Sequence, residues 1–217
     1  MKITILTDNE RSWFIPYGNE LCERLNLLGH KVRYVHRIND IFEGDICFVL
    51  SCTRILGKEY LRLNRHNIVI HASDLPHGKG FSPLQWQILE GKNDITLTLF
   101  EAVEKLDAGP YYLKSMIHFD GTELYGELRR VLGEKIIEMA VYYVSNYDSL
   151  VPVHQTGKET IYPKRTIKDD ELDIDKSLRE LFNHFRIADN KNYPVFFRYR
   201  EKKYFLKIYQ ESDSSRK

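Results

Sequence analysis

The sequence predicts an open α/β fold, in which a mostly parallel sheet carries helices on both faces and a small C-terminal helix and β-hairpin are appended. Short apolar strands at residues 3–6, 32–35, 46–50 and 68–71 are interleaved with helical segments. This order is typical of a parallel sheet. After residue 148 the composition becomes polar, which separates a main domain over residues 1–150 from an extension over residues 151–217.

The first helix shows the apolar spacing of an amphipathic segment. Pro16 opens it, and Leu21, Leu25 and Leu28 recur at i, i+4 and i+7. Gly29 is expected at the C′ position, where helices commonly end in a left-handed residue.

The middle of the chain continues the alternation of helices and strands. We expect a short helix over residues 55–63, a helix over 83–90 capped by Ser82, strands at 95–100 and 111–119, and a long helix from Thr122 to about residue 146.

The extension begins with a polar, extended connection over residues 148–176. It continues with a helix over 178–187 and a hairpin whose strands, 195–199 and 204–208, flank a turn at 200–203.

Composition narrows the possible partners and the compartment. Thirty-two Lys and Arg residues balance 31 Asp and Glu residues in a chain of 217, so the basic excess typical of nucleic-acid binders is absent. The three cysteines have no CxxC spacing, which favours reduced thiols in the cytoplasm. We therefore expect a cytoplasmic protein without a leader, a membrane span or a nucleic-acid partner.

The ends of the strands hold the residues that could carry chemistry. The glycine fingerprint of dinucleotide-binding sheets does not follow the first strand, although ligands of such sheets still bind at the carboxyl ends of the strands. His71 ends the fourth strand and is followed by a loop containing Gly78 and Gly80, and Asp107 lies in a later turn. An imidazole and a carboxylate can support proton transfer at neutral pH. His66, His71 and His77 follow no recognised metal-ligand pattern, so no metal is expected.

Several short motifs appear in a fixed order between about residues 45 and 114. They comprise His71, Ser73, Leu75, Pro76, Lys79 and Gly80, then residues 83–86, and finally Leu106, Asp107, Ala108 and Gly109. This pattern resembles the core of the formyltransferases that use 10-formyltetrahydrofolate, including the 36-residue separation of His71 and Asp107. The resemblance implies a Rossmann-like fold and an N-formyltransferase that uses this folate as formyl donor.

The resemblance also implies roles for particular residues. His71, Asp107 and Ser73 would be catalytic. The folate would contact the third strand and its loop together with the later turn, that is Leu50, Ser51, Cys52, Thr53, Arg54, Ile55, Leu106 and Asp107.

One position departs from the family pattern. Val69 stands where the family has a catalytic asparagine, and Asn67 lies one pleat too far back to replace it. The Ser73 hydroxyl, a backbone N–H of the loop, the imidazolium form of His71 or a water molecule could supply the missing hydrogen bond.

The tail resembles that of sugar N-formyltransferases at residues 155–157, 162–165 and 172–175. This implies that the acceptor is a nucleotide-linked 4-amino-4,6-dideoxy sugar, such as the UDP-linked precursor of a pseudaminic-acid-like sugar, and that the extension helps to bind it. We expect a homodimer. A 10-formyltetrahydrofolate hydrolase and a non-catalytic nucleotide-sugar-binding module remain alternatives. The expected acceptor contacts are Asp8, Ser12, Trp13, Phe14, Lys79, Lys164 and Arg165.

Overall fold

The computed structural model describes residues 1–211, so the predicted extension is described as far as Glu211. A six-stranded sheet in the order β2-β1-β3-β4-β6-β7 forms its centre. The strands are β1 (Lys2–Leu6), β2 (Lys31–Val35), β3 (Gly44–Val49), β4 (Asn64–His71), β5 (Lys79–Gly80), β6 (Asp94–Glu101), β7 (Tyr111–His118), β8 (Ile161–Tyr162), β9 (Phe196–Tyr199) and β10 (Lys202–Phe205). The helices are α1 (Ile15–Leu27), α2 (Lys58–Leu61), α3 (Pro83–Leu89), α4 (Tyr125–Ser145) and α5 (Leu178–Arg186).

The central sheet is parallel over β1 to β4 and antiparallel at its β6–β7 edge, so the predicted mostly parallel α/β sheet is confirmed. Helices α1, α3 and α4 bury apolar residues on one face, where Leu21 and Leu25 are fully buried. Burying a leucine side chain contributes about 1.5–3 kcal/mol. The other face is covered by α2 and the loops around it, where Leu56 and Leu61 pack.

Helix α1 ends as its sequence predicts. Gly29 has a φ of 84°, its N–H donates to Asn26 at 2.9 Å, and the N–H of His30 donates to Leu25 at 3.2 Å. This is the paired hydrogen-bond arrangement of a Schellman motif with glycine at C′.

Other predicted helix boundaries were wrong. The helix expected over residues 55–63 is confined to α2, because the backbone is still extended at Gly57. Helix α4 starts at Tyr125 rather than Thr122, whose N–H and hydroxyl both donate to Asp120. Ser82 precedes α3 but gives no side-chain cap, since its left-handed backbone (φ 51°) turns the hydroxyl away from the first N–H groups.

The extension contains pairing that its sequence did not predict. Within the segment expected to be an extended connection, β8 adds to β5 of the main domain. The expected four-residue hairpin turn was also wrong, because only Arg200 and Glu201 form the turn and both have positive φ. Lys202 and Lys203 therefore belong to β10.

Helix α5 anchors the extension to the main domain. Ser177 caps it by accepting a hydrogen bond from Glu180, whose carboxylate bonds back to the Ser177 N–H at 2.9 Å. At its end the buried Arg186 reaches Glu123 at 3.0 Å and Asn93 at 2.8 Å. Within residues 1–211, no helix combines the length and apolar character that crossing a bilayer requires.

Candidate active site

A cavity of about 320 Å³ opens at the carboxyl ends of β3 and β4 and brings His71 and Asp107 together. His71 is the last residue of β4, and Asp107 lies in the loop between β6 and β7. Both side chains are about one-tenth exposed. The two side chains therefore lie largely buried at the same end of the cavity. Because the local dielectric constant is lower there than in water, electrostatic interactions between them are stronger.

The contacts of His71 fix the roles of its two ring nitrogens. Nε2 lies 2.8 Å from the carbonyl oxygen of Gly78, which can only accept, so Nε2 carries the hydrogen. Nδ1 therefore faces Asp107, whose Oδ2 is 4.0 Å away. This separation is too long for a hydrogen bond, so the two groups lie close together without being directly bonded.

The Asp107 carboxylate is held in place by the neighbouring loop. Its Oδ2 accepts a hydrogen bond from the N–H of Gly80 at 2.8 Å. The residue has a φ of 46°, which is uncommon outside glycine, although aspartate tolerates it better than most residues. The side chain of Gln155 secures this loop by donating to the carbonyl oxygens of Asp107 at 2.9 Å and Gly109 at 2.8 Å.

A short segment of the extension, residues 155–162, lies across the loop after β4, and we call it the strap. Its Thr160 hydroxyl accepts from the N–H of Gly78 at 2.8 Å, and its main chain pairs with Lys79 and Gly80. Tyr162 stacks on Trp86 with ring centroids 6.3 Å apart. Gly78 and Gly80 have positive φ, and a side chain on either would overlap Tyr162, so the strap explains both glycines.

Position 69 places a hydrophobic side chain in the cavity. Val69 lines it, whereas the Asn67 amide donates to Leu61 at 2.9 Å and lies outside the lining. The Ser73 hydroxyl is also outside the lining, buried and without a hydrogen-bond partner among the described residues.

Four backbone N–H groups of the loop are already used within the protein. The N–H groups of residues 78–81 all donate within the protein, to Thr160, Asp107 and Tyr162. These four N–H groups are therefore not free to replace the missing amide.

The loop after β3 lines one side of the cavity. Ser51, Cys52, Thr53, Arg54 and Ile55 contribute to the lining, as does Leu106 from the opposite wall, while Leu50 is fully buried behind them. Burial raises the pKa of the Cys52 thiol, which keeps it protonated at neutral pH.

Asp8 holds this loop rather than lining the cavity. Its carboxylate accepts from the N–H of Thr53 at 2.9 Å, from the Thr53 hydroxyl at 3.0 Å and from the N–H of Arg54 at 3.0 Å. Ser12 bonds to the hydroxyl of Ser51 at 2.9 Å and also lies outside the lining.

The expected acceptor contacts are scattered. Trp13 lines the cavity, but Phe14 is fully buried in the core. Lys79 is 2% exposed and pairs with Glu159 of the strap at 2.7 Å, so its charge is used within the protein. Hydrogen bonds from Lys79 and a second lysine lower the pKa of the Glu159 carboxyl.

The two remaining expected contacts lie away from the cavity. Lys164 is exposed, and Arg165 is paired with Asp170. Neither residue lines the cavity.

Sequence reasoning missed two residues at this site, Arg129 and Gln155. Arg129 lines the cavity from α4, and its position between Leu128 and Leu132 of the buried stripe was an available signal. Gln155 belongs to the tail segment 155–157 that resembles sugar N-formyltransferases, but its contact with the Asp107 loop was not predicted, because its partners lie more than 40 residues away in the chain. In the described part of the chain, no group of three His, Cys, Asp or Glu side chains is arranged to hold a metal ion.

A family model described as formyl transferase matches residues 32–141, just over half of the chain. The chain belongs to the formyl transferase family. Methionyl-tRNA formyltransferase from Caldicellulosiruptor saccharolyticus is 28% identical over 169 residues, which are 76% of this chain and 53% of that protein. The chain thus spans about half the length of the curated relatives it matches.

Solved structures share the fold at low sequence identity. Methionyl-tRNA formyltransferase from Clostridium thermocellum has a TM-score of 0.82 at 19% identity, covering 98% of this chain and 94% of that one. A 4-N formyltransferase from Francisella tularensis has a TM-score of 0.75 at 16% identity, covering 97% and 98%. HypX from Aquifex aeolicus in complex with tetrahydrofolic acid has a TM-score of 0.79 at 18% identity, covering 96% and 37%.

Proposed function

We propose that the protein transfers a formyl group from 10-formyltetrahydrofolate to the primary amine of a nucleotide-linked 4-amino-4,6-dideoxy sugar. The main support for this proposal is that the largely buried side chains of His71 and Asp107 lie close together in the cavity, with Nδ1 of His71 facing Oδ2 of Asp107. Membership of the formyl transferase family supports the reaction type. The folate would lie against residues 51–55 and Leu106.

The geometry supports different roles for His71 and Asp107 in the reaction. The amine attacks the formyl carbon, and the resulting oxyanion accepts a hydrogen bond from the protonated Nδ1 of His71. The carboxylate of Asp107, directly or through water, takes the proton that the amine loses. N10 of the folate gains a proton, the C–N10 bond breaks, and formamide product and tetrahydrofolate leave.

The sugar acceptor is supported by the tail and by structural neighbours that include sugar N-formyltransferases. The UDP-linked precursor of a pseudaminic-acid-like sugar is the first candidate. Methionyl-tRNA is the rival acceptor, because the curated relatives are methionyl-tRNA formyltransferases. The balanced net charge of +1 favours the smaller acceptor.

The test is formation of tetrahydrofolate from 10-formyltetrahydrofolate in the presence of UDP- and dTDP-linked 4-amino sugars, methionyl-tRNA or no acceptor. We expect turnover with an amino sugar, and a loss of about 100-fold or more in His71→Ala and Asp107→Asn, as for other proton-transfer groups. His77→Ala, an exposed histidine of the same loop, is the matched control.

Each other outcome contradicts a defined part of the proposal. Formylation of methionyl-tRNA alone would overturn the sugar acceptor, and formate release without acceptor would indicate a hydrolase. Folate binding without turnover on any acceptor would indicate a binding module. Unchanged rates in both variants would exclude the proposed roles of His71 and Asp107.

A further inference from the structure

The apolar residues that line the cavity belong to two hydrophobic clusters on opposite faces of the sheet, and we call the two groups of lining residues the first and the second arm. The first arm is lined by Val49, Leu56, Leu61 and Val69, which pack on the α2 face, together with the loop 51–55. The second arm is lined by Trp13, Leu84, Arg129, Leu132 and Ile136, on the face covered by α1, α3 and α4. Side chains alternate along β4, so His71 shares the face of Val69 and stands beside the first arm.

Arg129 is the charged side chain of the second arm. Its guanidinium carbon lies 4.3 Å from the ring centre of Trp13 and 5.2 Å from that of Tyr125. The Gln85 amide, oriented by its partners, accepts a hydrogen bond from Arg129 and donates to the carbonyl of Ser82 at 3.3 Å. Residues from α3, α4 and the segment before α1 therefore hold the guanidinium plane in one orientation.

The charge of Arg129 is not neutralised by an adjacent carboxylate. Its Nε is buried without a hydrogen-bond partner, and within residues 1–211 no Asp or Glu oxygen lies within 4.0 Å of the guanidinium. Asp189 interacts electrostatically with the Arg129 guanidinium only at longer range, without direct contact. By contrast, the neighbouring Arg130 pairs with Glu134 at 3.0 Å.

A partly buried guanidinium without a carboxylate partner is costly, because its charge loses solvation that no opposite charge replaces. Burial lowers the pKa of Arg129, although a guanidinium stays charged at neutral pH. An oxyanion entering the cavity would relieve this cost, since the guanidinium fork matches phosphate and carboxylate geometry. Arg129 lines the cavity, so a ligand there would approach its guanidinium.

We propose that Arg129 is a specificity-determining residue that binds an oxyanion of the formyl acceptor, as a phosphate or carboxylate oxygen pair. This inference rests on the proposed function, which assigns the first arm to the folate. The carboxylates of a folate glutamate tail share this chemistry, but Arg129 lies across the sheet edge from the first arm. The acceptor is therefore the ligand that the second arm fits, with its amine directed toward Asp107.

The test compares Arg129→Gln with Arg130→Gln, an exposed arginine one residue along the same helix. We expect kcat/KM for the acceptor to fall by about 10- to 150-fold in Arg129→Gln, the effect of losing a charged hydrogen bond. The KM for 10-formyltetrahydrofolate and the Kd for tetrahydrofolate with one or several glutamates should stay within twofold. Arg130→Gln should match the wild type, and Arg129→Lys should recover only part of the loss.

A binding measurement keeps this result separate from the reaction assay. In a Trp86→Phe background, Trp13 is the remaining tryptophan and reports directly on Arg129. Titration with inorganic pyrophosphate should change its fluorescence in the parent protein and not in Arg129→Gln, whatever the acceptor proves to be. No response in the parent, or an unchanged response in Arg129→Gln, would overturn the anion site. Weaker binding of polyglutamylated tetrahydrofolate in Arg129→Gln would assign the anion to the folate instead.

Discussion

The two hydrogen bonds of Gln155 provide a quantitative test of how the extension supports the site. Its Nε2 donates to the carbonyl oxygens of Asp107 and Gly109 at 2.9 and 2.8 Å, and Gln155→Ala removes both bonds. A hydrogen bond contributes about 0.5–1.5 kcal/mol net, so the pair contributes about 1–3 kcal/mol to this loop conformation. Asp107 has positive φ, a conformation that persists only when surrounding contacts impose it.

The expected consequence is a loop that leaves its active conformation more often. At about 1.36 kcal/mol for each factor of ten, 1–3 kcal/mol corresponds to a fall of about 5- to 150-fold in kcat/KM. The fall should be in kcat rather than in the KM for folate, because Gln155 lies outside the cavity lining. Hydrogen exchange of the amides of residues 105–109 should become faster by a similar factor.

His154→Ala is the matched control for this variant, because His154 is the preceding residue and is exposed. Steady-state rates with a saturating acceptor and amide exchange followed by mass spectrometry measure the two quantities. If Gln155→Ala retained kcat within twofold of the wild type and its loop exchanged no faster, the reasoning that the strap holds Asp107 would be refuted.

Two further variants test the scaffold around the cavity. Asp8→Asn should weaken tetrahydrofolate binding by about tenfold in calorimetry, because a neutral amide loses the charged hydrogen bonds that hold the loop after β3; unchanged affinity would contradict this role. Gly109→Ala should lower the melting temperature by several degrees or prevent folding, because the added Cβ would overlap the carbonyl oxygen of Glu101. Gly126→Ala, at an open helical position, is its control and should stabilise by about 0.5–1 kcal/mol, so equal melting temperatures in the two variants would be inconsistent with this packing.

The local features of the fold could be predicted from the sequence, because they depend on residues that are close together in the chain. The spacing of Leu21 and Leu25 and the glycine at position 29 predicted α1 and its end. The apolar segments predicted the strands of the parallel core, since burial on both faces imposes continuous hydrophobic runs. Strand β4 was predicted too short. The apolar pattern indicated residues 68–71, but the strand also includes the largely polar residues from Asn64 to Asn67.

The role of Lys79 shows where sequence reasoning failed. A lysine beside a glycine-rich loop was expected to meet the acceptor, but the structure buries it against Glu159, 80 residues later in the chain. The presence of a charged residue in the sequence does not show whether an oppositely charged side chain lies next to it in the folded protein. The same limit applied to Arg129, whose importance comes from the absence of an adjacent carboxylate within the described residues.

The α/β order of the elements, the family resemblance and the pair His71 and Asp107 could all be read from the sequence, because they follow from local periodicity and short motifs. Three further features came from the three-dimensional fold: Nδ1 of His71 faces Asp107, the strap and Asp107 accept the hydrogen bonds of the N–H groups of residues 78–81, and Arg129 has no adjacent carboxylate within the described residues. These features depend on contacts between residues distant in the chain. Such contacts depend on how the whole chain packs and on which buried polar groups pair with one another, and not on the residues that are adjacent in the sequence.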